Sequence, residues 1–172
     1  MTIVARHRLF GLILAAAIFS ADQWLKWLVR VPLKLESRQV IDLIPFFDLR
    51  WTQNYGISLG LLTADTMEMR WLLVALTFGI AGIVLIWLCR EKLLGDIIPL
   101  GLVLGGALGN IRDRVLFGYV IDYADLHFGN FRPFLIFNLA DAAITIGVLI
   151  ILARSFLSRE KQDKTARPAT ES

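Results

Sequence analysis

A single cysteine, Cys89, leaves this 172-residue chain unable to form an intrachain disulfide or a thiolate metal cluster. Histidine is nearly as scarce. His7 and His127 are the only two, they stand in unrelated surroundings, and no HExxH segment occurs, so a zinc-peptidase site of that kind is excluded. The same scarcity removes Ser–His and Cys–His nucleophile pairs. Acidic residues are missing from the inner halves of the second and fourth apolar runs described below, and the third has only Asp96 there. The net charge is only +3, and much of the basic excess flanks apolar runs. That placement suits anionic lipid headgroups better than nucleic acid.

Apolar residues are what the chain has in excess. They make up 56% of it, and the mean hydropathy is +0.63, whereas soluble domains hold roughly 45–50% apolar residues. A helix needs about 20 mostly apolar residues to span a bilayer. Four stretches qualify: about 9–31, 71–89, 93–111 and 134–157. Arg6 and Arg8 before Leu9–Phe19, with small residues at Ala15–Ala17, also resemble a signal peptide. Apolar character resumes after Asp22, however, and the full stretch is long enough to span, so a retained helix is expected. The expected fold is therefore a membrane all-α, four-transmembrane-helix bundle. Residues 1–157 form one integral membrane domain, followed by a polar, disordered tail at 158–172.

Four spans put both termini on one side. Of the 18 Lys and Arg, nine fall in the three short segments on the side of the termini, and nine fall elsewhere. Three of the latter, Lys26, Arg112 and Arg114, lie within or at the ends of helices rather than in loops. The remaining six are spread over a long stretch, so the positive-inside rule favours cytoplasmic termini. On the opposite side, a segment at about 35–62 includes Val40–Asn54 (VIDLIPFFDLRWTQN), whose branched and aromatic residues with partial alternation predict a small extracytoplasmic β element resting on the membrane interface. Gly101, Gly105 and Gly109 recur every fourth residue in the third helix, a spacing that brings a neighbouring helix close.

Against this background the polar residues near the helix ends stand out, since a charge at mid-bilayer costs at least ~2.5–3.5 kcal/mol. Asp22 and Lys26 share a face of the first helix and can pair. Asn110, Asp113 and Arg114 crowd the outer end of the third. Asn138, Asp141 and Thr145 form one stripe on the fourth, and Asp122 lies in the link before it. All fall toward the same leaflet. Ser20 or Ser58 with Lys26 would make a Ser–Lys pair, but Lys26 is better explained by Asp22. Two carboxylates sharing a proton, as in aspartic peptidases, fit the inventory without a metal. Carboxylates of the same kind serve proton or ion transport, and a cap or salt bridge would equally account for Asp122, so residue chemistry alone leaves these readings open.

The motifs add to this. Gly105–Arg114 (GGALGNIRDR), Phe117–Asp122 (FGYVID), Phe137–Asp141 (FNLAD), Asp22–Lys26 (DQWLK) and Asn54–Gly56 (NYG) together resemble the bacterial lipoprotein signal peptidases, signal peptidase II, over nearly the whole chain and in the same order. The resemblance implies that Asp122 and Asp141, 19 residues apart, are the catalytic pair. It implies that Asn54, Asn110, Arg114, Asn138 and Ala140 hold or surround the substrate backbone, that Asp22 and Lys26 shape the pocket, and that Asp113 braces Arg114. The substrates would be diacylglyceryl-modified prolipoproteins, cut before the lipidated cysteine, and globomycin-type peptides would be inhibitors. No metal or cofactor is implied. A monomer in the bacterial inner membrane, among membrane lipids and with its active site toward the outer leaflet, would suffice. Phe131–Phe134 would help to close the site. Arg112, Leu59 and Ala142 depart from the family's usual residues. Asp125 places a third carboxylate three residues after Asp122, where geometry alone does not choose between them.

Overall fold

Four long helices account for most of the computed structural model, which describes residues 1–56, 66–129 and 131–166, with side chains to Leu157. They are α1 (Ile3–Arg30), α3 (Met67–Arg90), α4 (Leu94–Phe117) and α5 (Leu139–Ala166). Each contains a stretch long and apolar enough to cross a membrane. Between α1 and α3 lie a single helical turn, α2 (Leu35–Arg38), and two strands, β1 (Val40–Ile44) and β2 (Phe47–Asn54). A third strand, β3 (Val120–Leu126), follows α4.

α4 is the axis of the bundle. Buried residues make up 61% of its apolar stretch, against 11%, 22% and 17% in α1, α3 and α5. The other three helices therefore turn most of their apolar surface outward, as lipid-facing helices must. Glycine lets the central helix serve two neighbours at once. A Cβ on Gly105 would lie 2.5 Å from the carbonyl oxygen of Ala15 in α1, and one on Gly106 would lie 2.5 Å from that of Ala140 in α5. The glycine spacing thus packs α4 against α1, as expected, and adjacent Gly106 adds contact with α5. α1 runs unbroken through Ala15–Ala17.

The β element in Val40–Asn54 forms, and α2 precedes it; residues 57–62 of the expected segment lie outside the described residues. The sheet is antiparallel with order β1-β2-β3, and Thr52 pairs with Asp122 while Asn54 pairs with Val120. Asp122 therefore belongs to a strand and not to a loose link. Gly118, at φ 89°, ends α4 in the left-handed conformation that glycine adopts at little cost. The chain then turns directly into β3, all but the last of whose residues are buried.

Two helix limits differ from expectation. α5 begins at Leu139 and not near 134, because Phe137 is still bridged to Ala124 of β3 by backbone hydrogen bonds of 2.8 and 3.1 Å. Its backbone is helical to Ala166, past residue 157, where the apolar run ends. Glu, Lys, Gln and Arg are good helix formers, and no proline intervenes before Pro168.

Candidate active site

Asn138 sits where three elements meet. It is the residue before α5, and its side-chain oxygen accepts from the Asp141 backbone N–H at 2.9 Å. Asp141 returns the contact, its Oδ2 accepting from the Asn138 backbone N–H at 3.2 Å. This is the reciprocal arrangement of a capping box, with aspartate in the third helical position. The carboxylate of Asp141 is thereby held at the positive end of the α5 dipole. The predicted stripe Asn138–Asp141–Thr145 is corrected accordingly. Asn138 caps the helix, and Thr145 is exposed.

The other end of the Asn138 side chain reaches Asp122. Its Nδ2 donates to Asp122 Oδ1 at 2.6 Å, and also approaches the Ile121 carbonyl and Asn110 Oδ1 at 3.2 and 3.3 Å. Asn54 Nδ2, from β2, donates to the second oxygen of Asp122 at 3.0 Å. Asn110 Nδ2, from α4, donates to Asp141 Oδ1 at 2.8 Å. One asparagine thus touches both carboxylates, and two more steady them from either side. Asp122 is 2% exposed. Burial, reinforced by the nearby Asp141 charge, pushes its carboxyl up to about 7, although Asn54, Asn138 and Lys26 pull the other way.

Behind the pair lies a second buried cluster. Lys26 makes ion pairs of 2.9 Å with Asp22 and with Asp113, and its Nζ donates to Asn110 Oδ1 at 3.2 Å. Asp22 accepts from the Ala140 backbone N–H at 3.0 Å, satisfying one of the unpaired donors at the start of α5. Asp113 accepts from Gln23 and from the Ile121 backbone N–H, both at 3.2 Å. The structure thus ties Asp113 to α1 and β3 rather than to Arg114. Arg114 instead donates to the Gly56 carbonyl at 2.9 Å, while its Nε is buried without a partner among the described residues. Ala140 is fully buried at the α4–α5 contact, with its carbonyl over Gly106.

Asp125 is in a different position. Residues three apart on a strand point to opposite faces, and Asp125 takes Arg50 Nε at 3.0 Å and Arg132 Nε at 3.0 Å. Burial raises its carboxyl, but the hydrogen bonds from Arg132 and Arg50 outweigh this and hold it below the usual range. All the residues singled out in the sequence, Asp22, Lys26, Asn54, Asn110, Arg114, Asp122, Asn138, Ala140 and Asp141, gather at one end of the bundle. Gln23, which links Asp22 to Asp113, and Gly56, which accepts from Arg114, are read in the sequence only as parts of motifs, with no role of their own.

The family model described as signal peptidase (SPase) II matches residues 14–157. The chain belongs to the signal peptidase II family. It is 55% identical over 163 residues to a lipoprotein signal peptidase of Sphingopyxis alaskensis, covering 94% of each chain. It is 53% identical over 154 residues to one of Rhizorhabdus wittichii, covering 90% of each. A solved bacterial membrane enzyme, 25% identical, superposes with a TM-score of 0.76 over 95% of this chain and 94% of its own. Membership in this family makes the chain a multi-pass membrane peptidase of the aspartic type, and nothing in these likenesses supports the transporter alternative.

Proposed function

We propose that Asp122 and Asp141 are the catalytic pair with which this signal peptidase II removes signal peptides from diacylglyceryl-modified prolipoproteins, cutting before the lipidated cysteine. The observation that carries the reading is the Asn138 bridge. Its side-chain amide donates to Asp122 Oδ1 at 2.6 Å and its backbone N–H donates to Asp141 Oδ2 at 3.2 Å, so one residue holds both carboxyls.

The chemistry needs one proton between two carboxyls. Asp122, desolvated and with its carboxyl near 7, is suited to hold it, and Asp141, partly exposed at the N-terminus of α5, supplies the second carboxyl. The carboxylate takes a proton from water as the oxygen attacks the scissile carbonyl, and the carboxylic acid protonates the carbonyl oxygen. Collapse of the tetrahedral intermediate returns a proton to the departing amine. Arg114, with a buried N–H unspent among the described residues, is suited to bind a substrate carbonyl, with Asn54 and Asn110 beside it. Asp22, Lys26 and Ala140 form the pocket's rear wall through their contacts with α4 and α5.

A lipidated precursor leaves the bilayer only at high cost, which favours a site at membrane depth. We place that site toward the outer leaflet of the bacterial inner membrane, with both termini cytoplasmic, on the strength of the basic residues beside the other helix ends. Phe131 and Phe134, both exposed, suit a surface that closes over bound peptide. Residues 1–157 act as one domain and as a monomer, and globomycin-type peptides compete for the pocket. Asp122→Asn and Asp141→Asn, assayed separately for signal-peptide release from a diacylated prolipoprotein, should each lose activity, while chelator should leave the wild type unchanged. Near-normal turnover in either variant would refute the pair.

A further inference from the structure

The lipid-facing side of the bundle carries a feature that peptide cleavage does not use. α1 and α3 scarcely touch, and between them opens an apolar slot of about 380 Å³. Its walls include Ala15 and Ala16 of α1 and Ala81 and Gly82 of α3, with Leu104 and Leu108 of α4 behind. The dyad stands elsewhere around α4, which turns Gly106 toward α5 and Asn110 toward Asp141.

At one end the slot is closed. A Cβ on Gly11 would lie 3.3 Å from Leu88, and Arg8 crosses to α3, donating to the carbonyls of Glu91 and Arg90 at 2.8 and 3.0 Å. That end is away from Asp122 and Asp141, and it is the basic one. At a rise of 1.5 Å per residue, Leu12 lies about 6 Å from Arg8 and Leu85 about 7.5 Å from Arg90, whereas Phe19, at the slot's other end, is about 16 Å short of Arg30. Among the described side chains, the acidic groups at the basic end are engaged. Glu91 accepts from the Lys92 backbone N–H at 2.8 Å, and Asp96 pairs with Arg154 at 2.6 Å. Arg6, Arg90 and Lys92 are exposed.

We propose that the slot seats an acyl chain of an anionic phospholipid whose phosphate lies against Arg90 and Lys92. The apolar lining suits a hydrocarbon chain, and exposed cations at the membrane boundary beside it complement an anionic headgroup more than a zwitterionic one. A Cβ on Gly82 would meet nothing within 4 Å, so a large side chain there would extend into the slot. The lipid would brace α3 against α1, which otherwise touch little.

Native mass spectrometry of the full-length protein in detergent, titrated with phosphatidylglycerol or phosphatidylcholine, tests this. The wild type should bind phosphatidylglycerol more tightly. The paired change Arg90→Gln and Lys92→Gln should weaken that binding about thirtyfold, at about 1 kcal/mol per cation and 1.4 kcal/mol per tenfold. Gly82→Phe should remove the tight site. Gly79→Phe, on the same helix with open space around its Cβ but outside the slot, should leave it intact. Wild-type phosphatidylglycerol affinity in Gly82→Phe would overturn the proposal, as would an unchanged preference over phosphatidylcholine in the double variant. Signal-peptide release by these variants keeps this result separate from the dyad assignment.

Discussion

Asp122 and Asp125 share one seven-residue strand and similar burial, yet their surroundings give them opposite character. Asp122 meets asparagine amides, with Asp141 as a like-charged neighbour, and its carboxyl rises to about 7. Asp125 meets two guanidinium groups, and its carboxyl is held below the ordinary range. Neutral donors orient a carboxylate without fixing its charge, whereas paired cations commit it to the ionised form. A carboxylate fixed in that way ties β2 to the segment after β3, and one left unfixed is available to exchange a proton.

The most severe break of this comparison is expected on the Asp122 face. Asp122→Asn should lower signal-peptide release about 10²–10⁴-fold, the usual contribution of a positioned acid or base. Asp125→Asn, in the same assay, should stay within about tenfold of wild type. Asn138→Ala touches both members of the pair. It removes the α5 cap, at about 0.5–2 kcal/mol of stability, and should also lower turnover, so kinetics and a thermal melt read its two roles separately. Asp125→Asn should cost about 1–2 kcal/mol in the melt, because Arg50 and Arg132 lose a buried partner but are themselves partly exposed and screened. Thr145→Val, on the exposed side of α5, should change stability by no more than about 0.5 kcal/mol.

The sequence made the four helices legible because spanning a bilayer demands long apolar runs, and it made the polar cluster legible because charges inside such runs are costly. It left β3 hidden. VIDYADL is short, and its strand character comes from pairing with β2, whose residues lie about 70 positions earlier. Without that pairing no local pattern separates Asp122 from Asp125, and only the family motif distinguishes them. The start of α5 was obscured for a related reason. Phe134–Phe137 is apolar enough to read as helix, but its last residue is bound to β3, which leaves Asn138 as a cap. The Asp113 contacts with Lys26 and Gln23 depend on how α1 meets α4, a geometry that no local pattern encodes.

The pH dependence of turnover tests the proton-sharing pair most directly. A carboxyl raised to about 7 keeps its proton through mildly acidic pH and loses it as pH rises through that value. The same shift means that any stability Asp122 contributes is fully present below its ordinary value of 3.8 and is lost as pH rises through about 7. The kcat/KM for release of signal peptide from diacylated substrate, measured from pH 5 to 9, should therefore decline with a midpoint near pH 7, in both the wild type and Asp125→Asn. A rate that stays level across neutrality, or a midpoint that shifts when Asp125 is replaced, would contradict the assignment of the shared proton to Asp122 and Asp141.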